Sequence, residues 1–152
     1  MSLIIDIVDP GRTDVQALIA ELDAYQSVMY PAESNHLDGL SELQKDNVRF
    51  FGTFDSEILI ACGAIKFFSN YGEIKRVFVP ERWRGRGIAK KLMAVIESAA
   101  IERQCYQLKL ETGIYQPEAI GLYEALGYTH CTPFGNYTED PMSVFMEKNL
   151  EP

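Results

Sequence analysis

The chain has 152 residues, 47% of them apolar and 24% charged, with 14 Lys or Arg against 22 Asp or Glu and a net charge of −8. That length suits one domain, expected over residues 1–152, and the acidic total speaks against general nucleic-acid binding. No apolar run approaches the ~20 residues of a membrane span, no basic stretch precedes the apolar N-terminus as in a secretory leader, and the odd set Cys62, Cys105 and Cys131 reads as reduced thiols of a cytoplasmic protein, not as a disulfide or metal framework.

Residues 3–8 read as a first strand, stopped by Asp9-Pro10-Gly11. A helix follows, with Val15, Leu18, Ile19, Leu22, Tyr25 and Met29 on one stripe. Thr13 or Asp14 is its expected cap, and Tyr30-Pro31 ends it. Residues 32–38 form a polar loop holding Glu33, Asn35 and His36, with a short helical segment over about 37–44. Residues 48–54 and 58–68 pair as a hairpin around Asp55-Ser56-Glu57. A turn ending at Gly72 leads into a strand over 73–79. A long helix spans 87 to about 104. Residues 106–111 alternate, with Leu108 and Leu110 on one face. Gln116-Pro117 opens another helix, with Ala119, Ile120, Leu122, Tyr123 and Leu126 inward and Gly127 at its end. A strand begins at 128–131, a loop with two prolines covers 132–141, and 142–146 is the last strand. The order predicts an α/β protein, a mixed sheet with helices on its faces.

The stretch from Val77 to Lys91 carries the most chemistry. Val77, Phe78 and Val79 suit a buried strand, and Pro80 stops it. Gly85 and Gly87 allow a ligand to approach the main chain closely. From Ile88 the spacing is helical. A helix start leaves N–H groups without partners and carries partial positive charge, which suits a phosphate group. Arg84, Arg86, Lys90 and Lys91 add full charges. Between Lys66 and Lys91, eight Lys or Arg face only Glu73 and Glu81, a local balance of +6 that leaves −14 on the remainder. The two readings are a pyrophosphate cradle and a solvated basic turn, and the glycines at the strand-to-helix junction favour the cradle. The dinucleotide fingerprint lacks its third glycine here, and no Walker loop is present.

Arg84-x-x-Gly87-x-Ala89 resembles the Q/R-x-x-G-x-G/A signature of the GCN5-related N-acetyltransferase (GNAT) superfamily. The run from Ala119 to Tyr128, Ala-Ile-Gly-Leu-Tyr-Glu-Ala-Leu-Gly-Tyr, resembles that family's A-I-x-L-Y-E-x-L-G-F run, and the element order matches the GNAT fold from end to end. The tract from Tyr30 to Leu37 also resembles one in uncharacterised bacterial members. The resemblance implies the acyl-CoA N-acyltransferase fold: a single mixed, mostly antiparallel sheet with helices on both faces. It implies acetyl-CoA as cosubstrate with no metal, and direct acetyl transfer to a primary amine of a small or amino-acid-like acceptor. It also allows a homodimer, for which the sequence shows no interface signature.

The resemblance also implies roles for single residues. Backbone groups of Val77, Phe78 and Val79 would hold the thioester and pantetheine arm, the Val79 N–H facing the oxyanion. The N–H groups of Arg84, Gly85, Arg86, Gly87, Ile88 and Ala89 would cradle the pyrophosphate. Tyr123 matches the tyrosine that protonates the departing thiolate, although its spacing also suits a core position. Gln116 stands where an asparagine often contacts the pantetheine arm. Glu73 matches the general base of histone-type members, or else a carboxylate paired to Lys75, with which it shares a strand face that Arg76 does not. His36 is a base or a surface histidine without a role. Asn35, Glu33, Phe134, Tyr137 and Asp140 are acceptor-site candidates, and Trp83 packs beside the cradle or on the surface. A non-catalytic acyl-CoA sensor, a protein lysine or N-terminal acetyltransferase, and a generic nucleotide binder are the alternatives.

Overall fold

A computed structural model describes residues 2–34 and 38–151. Its strands are β1 (Leu3–Ile7), β2 (Val48–Asp55), β3 (Ile58–Phe67), β4 (Gly72–Phe78), β5 (Gln107–Gly113), β6 (Thr129–His130) and β7 (Ser143–Asn149). They form one sheet in the order β1-β2-β3-β4-β5-β7-β6. Pairing is antiparallel except between β4 and β5. Its helices are α1 (Thr13–Met29), α2 (Leu40–Leu43), α3 (Ile88–Glu102) and α4 (Pro117–Ala125). The β2–β3 hairpin closes through Ser56 and Glu57, both at positive φ (50° and 71°). That is the turn whose twist matches the strands it joins.

Alternation along the strands sorts the core into two layers. Phe50, Cys62, Ala64 and Phe78 pack with Val15, Leu18, Ile19 and Leu22 of α1 and with Leu43 of α2. Their strand neighbours Phe51 and Ile65 face the other way. These pack with Ile74, Leu108, Leu110 and Met146 against Leu92, Met93 and Ile96 of α3 and Tyr123 of α4. Helices therefore cover both faces. Among the described residues, no helix is long and apolar enough to cross a membrane.

The start of α1 differs from expectation. Arg12 holds the cap position with no side-chain cap bond. The preceding turn is tied instead by Asp9, whose Oδ1 accepts the Gly11 N–H at 2.8 Å, and by Gln16, which donates to the Pro10 carbonyl at 2.7 Å. Asp14 sits in the first turn and pairs with Arg12. At the other end, β7 runs three residues past the apolar stretch. It pairs with β5 from Gln107↔Asn149 to Gly113↔Ser143, so tertiary pairing carries polar residues that propensity alone would leave out.

β4 leaves regular pairing twice. Register runs Ala64↔Lys75 and then Cys62↔Phe78, so Arg76 and Val77 together oppose Gly63 in a β-bulge. Arg76 takes φ 56° there, a conformation usually left to glycine. Next, the β4–β5 ladder stops at Ile74↔Leu110, and the two strands part. The bulge also breaks strand alternation. Lys75 and Arg76 are chain neighbours, yet both reach Asp38, Lys75 Nζ at 3.2 Å from Oδ1 and Arg76 Nη2 at 2.7 Å from the carbonyl. Strict opposite-face placement of Arg76 is thereby corrected.

Candidate active site

Where β4 and β5 part, a groove opens. Val77, Phe78, Val79, Arg84, Gly85 and Ala89 line one side of it. Gln116, Ala119, Leu122 and Tyr123, from the start and inner face of α4, also line it. The groove leads from the strand end to the start of α3.

α3 starts from Gly87, at φ 72°, with no side-chain cap. Its first N–H groups therefore lack intrahelical acceptors. Gly85 lies at φ 80°. A Cβ at either glycine would meet nothing within 4 Å, so both are there for backbone conformation and both border open space. The Arg84 Nε donates to the Val79 carbonyl at 2.9 Å, and its guanidinium lies 5.5 Å from the Tyr25 ring centre. Those contacts fix a cation at the groove. The Arg86 guanidinium lies over the half-buried Trp83 ring at 5.0 Å, beside the cradle. The Ile88 side chain is buried with Ile60 and Ala61, so only its main chain, the part expected to serve, can meet a ligand. An uncapped helix start bordered by open glycines and cations fits a diphosphate with a long arm, as acetyl-CoA supplies.

A smaller cavity of about 90 Å³ adjoins the groove, and Val77, Gln116, Ala119 and Tyr123 line both. Tyr123 is buried, its ring edge-on to Tyr128 at 5.9 Å. Burial pushes its phenol up to about 12. Glu73 also lines the cavity, from a position only 5% exposed. Its Oε2 accepts a hydrogen bond from the Tyr137 hydroxyl at 2.6 Å and lies 3.5 Å from Lys75 Nζ. Burial first, then the Glu73 charge, push the Tyr137 phenol well above its ordinary value. Arg76, 8% exposed, pairs with Asp23 at 2.6 Å.

The structure thus brings Tyr123, Glu73, Gln116 and Tyr137 to one cavity. Gln116 uses its Oε1 inward, accepting from the Gly113 N–H at 3.3 Å and the Tyr30 hydroxyl at 3.4 Å. Phe134 does not reach the cavity. Its ring packs against Tyr71, Tyr137 and Phe145 and braces Tyr137 from behind. Asp140 accepts from Ser34 Oγ and from the Met142 N–H, both at 2.8 Å, tying the loop after α1 to the loop before β7. Asn35 and His36 lie outside the described residues. Among the described residues no cluster of His, Cys, Asp or Glu is arranged to hold a metal.

Tyr30, Asp38 and Arg76 were invisible as site residues in the sequence. Tyr30 reads there as a helix end, yet its hydroxyl accepts from the Tyr115 N–H at 3.0 Å and its side chain lines the cavity. Gly113 is the overlooked signal: a Cβ there would overlap the Tyr30 hydroxyl. A glycine late in a strand marks such a close approach.

A model of the acetyltransferase (GNAT) family matches residues 15–128. An IAA acetyltransferase from Azospirillum brasilense is 44% identical over 143 residues, 93% of this chain and 94% of that protein. The uncharacterised N-acetyltransferase YsnE of Bacillus subtilis (strain 168) is 36% identical, covering 96% of this chain and 99% of its own. A crystal structure from Klebsiella pneumoniae, of a protein proposed to be an acyl-CoA N-acyltransferase, is 37% identical with a TM-score of 0.86, covering 98% of each chain.

Proposed function

This chain belongs to the GNAT acetyltransferase family and is an acetyl-CoA-dependent N-acetyltransferase, and from that premise we propose that its acceptor is a small primary amine or an amino-acid-like molecule, which attacks the thioester directly. The observation that carries the reading is the shared wall: Gln116 and Tyr123 line the groove and the cavity at once. A donor lying in the groove and an acceptor in the cavity would meet there.

In this reading the N–H groups from Gly85 to Ala89 hold the diphosphate, the expected Arg84 N–H donating instead to the Glu81 carbonyl at 3.1 Å, and the arm runs past Val77, Phe78 and Val79. The amide nitrogen of Gln116 donates to the arm, since its oxygen is already engaged. Glu73 takes the proton of the incoming ammonium, directly or through a water. The amine then forms its bond to the carbonyl carbon, and the Val79 N–H donates to the developing oxyanion. As the carbon–sulfur bond breaks, Tyr123 gives its proton to the departing thiolate. Tyr137 holds Glu73 in place. The small cavity suits a compact acceptor over a bulky one; its wall holds Glu73 and Glu111 beside Lys75 and Arg76, so the size of the cavity, not a net charge, carries this preference.

The test is thiol release from acetyl-CoA with a panel of amino acids, alkylamines, diamines and a peptide with a free N-terminus. Turnover concentrated on the small amines supports the reading. Turnover on the peptide alone reassigns the acceptor to protein. Acetyl-CoA binding without turnover on any amine makes the chain a sensor.

A further inference from the structure

We propose that Asp38 is a positioning residue for Glu73 and acts through Lys75, whose ammonium it shares with the Glu73 carboxylate. The inference rests on reading Glu73 as the base. Lys75 Nζ stands among three oxygens: Asp38 Oδ1 at 3.2 Å, the Tyr137 hydroxyl at 3.3 Å and Glu73 Oε2 at 3.5 Å. Asp38 makes the shortest of these contacts. The three charged side chains are only 6–17% exposed, so solvent and salt screen them weakly.

Asp38 is itself fastened. Its carbonyl accepts from Arg76 Nη2 at 2.7 Å and Nε at 3.1 Å. Its Oδ2 is sealed from solvent and takes no hydrogen bond, with Lys66 Nζ at 3.6 Å as its ionic neighbour. A residue from the segment before α2 thereby sets the balance of charge on β4.

Groups from each neighbouring element act on this balance. Tyr71 precedes β4 and senses Glu73 together with Lys109 of β5 and Lys66 of β3. Tyr137 precedes β7 and senses Glu73, Asp38 and Glu111 of β5. Asp23 of α1 is committed to Arg76. Of these, Lys75 is the cation in ionic contact with Glu73, and Asp38 competes with Glu73 for it. A base must be able to hold a proton, and an ammonium drawn fully onto Glu73 would oppose that.

The experiment is the pH dependence of kcat/KM for thiol release, using the fastest amine of the panel above. Asp38→Asn leaves the ammonium to Glu73, so the acid limb moves to lower pH by about one unit, with a lower plateau because the base is weaker. Lys75→Met removes the cation, so the acid limb moves to higher pH. In the Lys75→Met background, Asp38→Asn adds no further shift, because its effect passes through Lys75. An acid limb unmoved by Asp38→Asn, or one that moves equally without Lys75, overturns the role of Asp38. Glu73→Gln separates the two levels. If it removes the acid limb while Asp38→Asn does nothing, only the positioning role falls. If it keeps the wild-type limb and rate, Glu73 is not the base and both fall.

Discussion

Burial alone pushes the Tyr123 phenol up to about 12, which keeps its proton in place over a wider pH range. A group with a raised value stays protonated until the pH nears that value, which suits the donor role proposed for Tyr123 across the physiological range. Tyr123→Phe should therefore lower turnover by about 10²-fold with little change in acetyl-CoA affinity, as read by thiol release beside a binding titration; equal turnover would return Tyr123 to a packing role. A phenol of ordinary acidity would lose its proton near pH 10. In the wild type the alkaline limb belonging to Tyr123 should lie near 12 instead, and a limb near pH 10 that vanishes in Tyr123→Phe would contradict this. Gly113 offers a second test at the same scale. A methyl group there collides with the hydroxyl and ring of Tyr30, and overpacking of this kind costs about 1–3 kcal/mol. Gly113→Ala should lose that much in urea denaturation. Tyr30→Ala combined with it should cost less than the two single changes added together, since the collision exists only while both groups are present.

The bulge in β4 aims the strand end at the groove, and it does so through a residue that resists the conformation. Arg76 sits at φ 56°, where an L-residue costs roughly 1–2 kcal/mol relative to its ordinary region. Its bonds to Asp23 and to the Asp38 carbonyl hold it there. Arg76→Ala loses the bonds and keeps the strain, whereas Arg76→Gly loses the bonds and the strain together. The glycine variant should therefore be the more stable of the two, by about 1 kcal/mol in denaturant midpoints converted with a common slope. The reverse order would mean that the backbone is not strained. At the head of α3, Gly87 is open on the side a Cβ would occupy. Gly87→Glu should abolish acetyl-CoA binding by bulk and like charge, well beyond the cost of its positive φ. Gly87→Ala supplies the control for that backbone cost. The glutamate variant binding as tightly as the alanine variant would move the diphosphate elsewhere.

The architecture was legible in the sequence because hydrophobic period and turn chemistry are local signals, and the 56–57 hairpin, the α1 stripe and the glycine-broken head of α3 all carry them. Lys75, Asp38 and Tyr30 were not legible as a group, since nothing local says that Tyr30 and Lys75 line one cavity and that Asp38 reaches Lys75. The non-glycine bulge at Arg76 gave no sequence cue at all. Charge shows the same limit. The +6 window from Lys66 to Lys91 reads as one basic patch, but the fold divides it. Lys66, Lys75 and Arg76 turn to Asp38, Glu42, Glu73 and Asp23, while Arg82 pairs with Glu21. Arg84, with Glu118 at 3.9 Å, and Arg86, Lys90 and Lys91 stand near the head of α3, on a chain of net charge −8. These side chains are mostly exposed, so salt should reach them: the screening length falls from about 30 Å at 0.01 M to about 3 Å at 1 M. Acetyl-CoA carries its negative charge on phosphates, and its affinity should weaken several-fold as salt rises from about 0.05 to 0.5 M. The Lys90→Gln, Lys91→Gln double variant should bind more weakly at low salt and show a shallower dependence. Calorimetric titration at both salt concentrations reads both effects. A flat response in the wild type would mean that main-chain amides hold the diphosphate without help from these four cations.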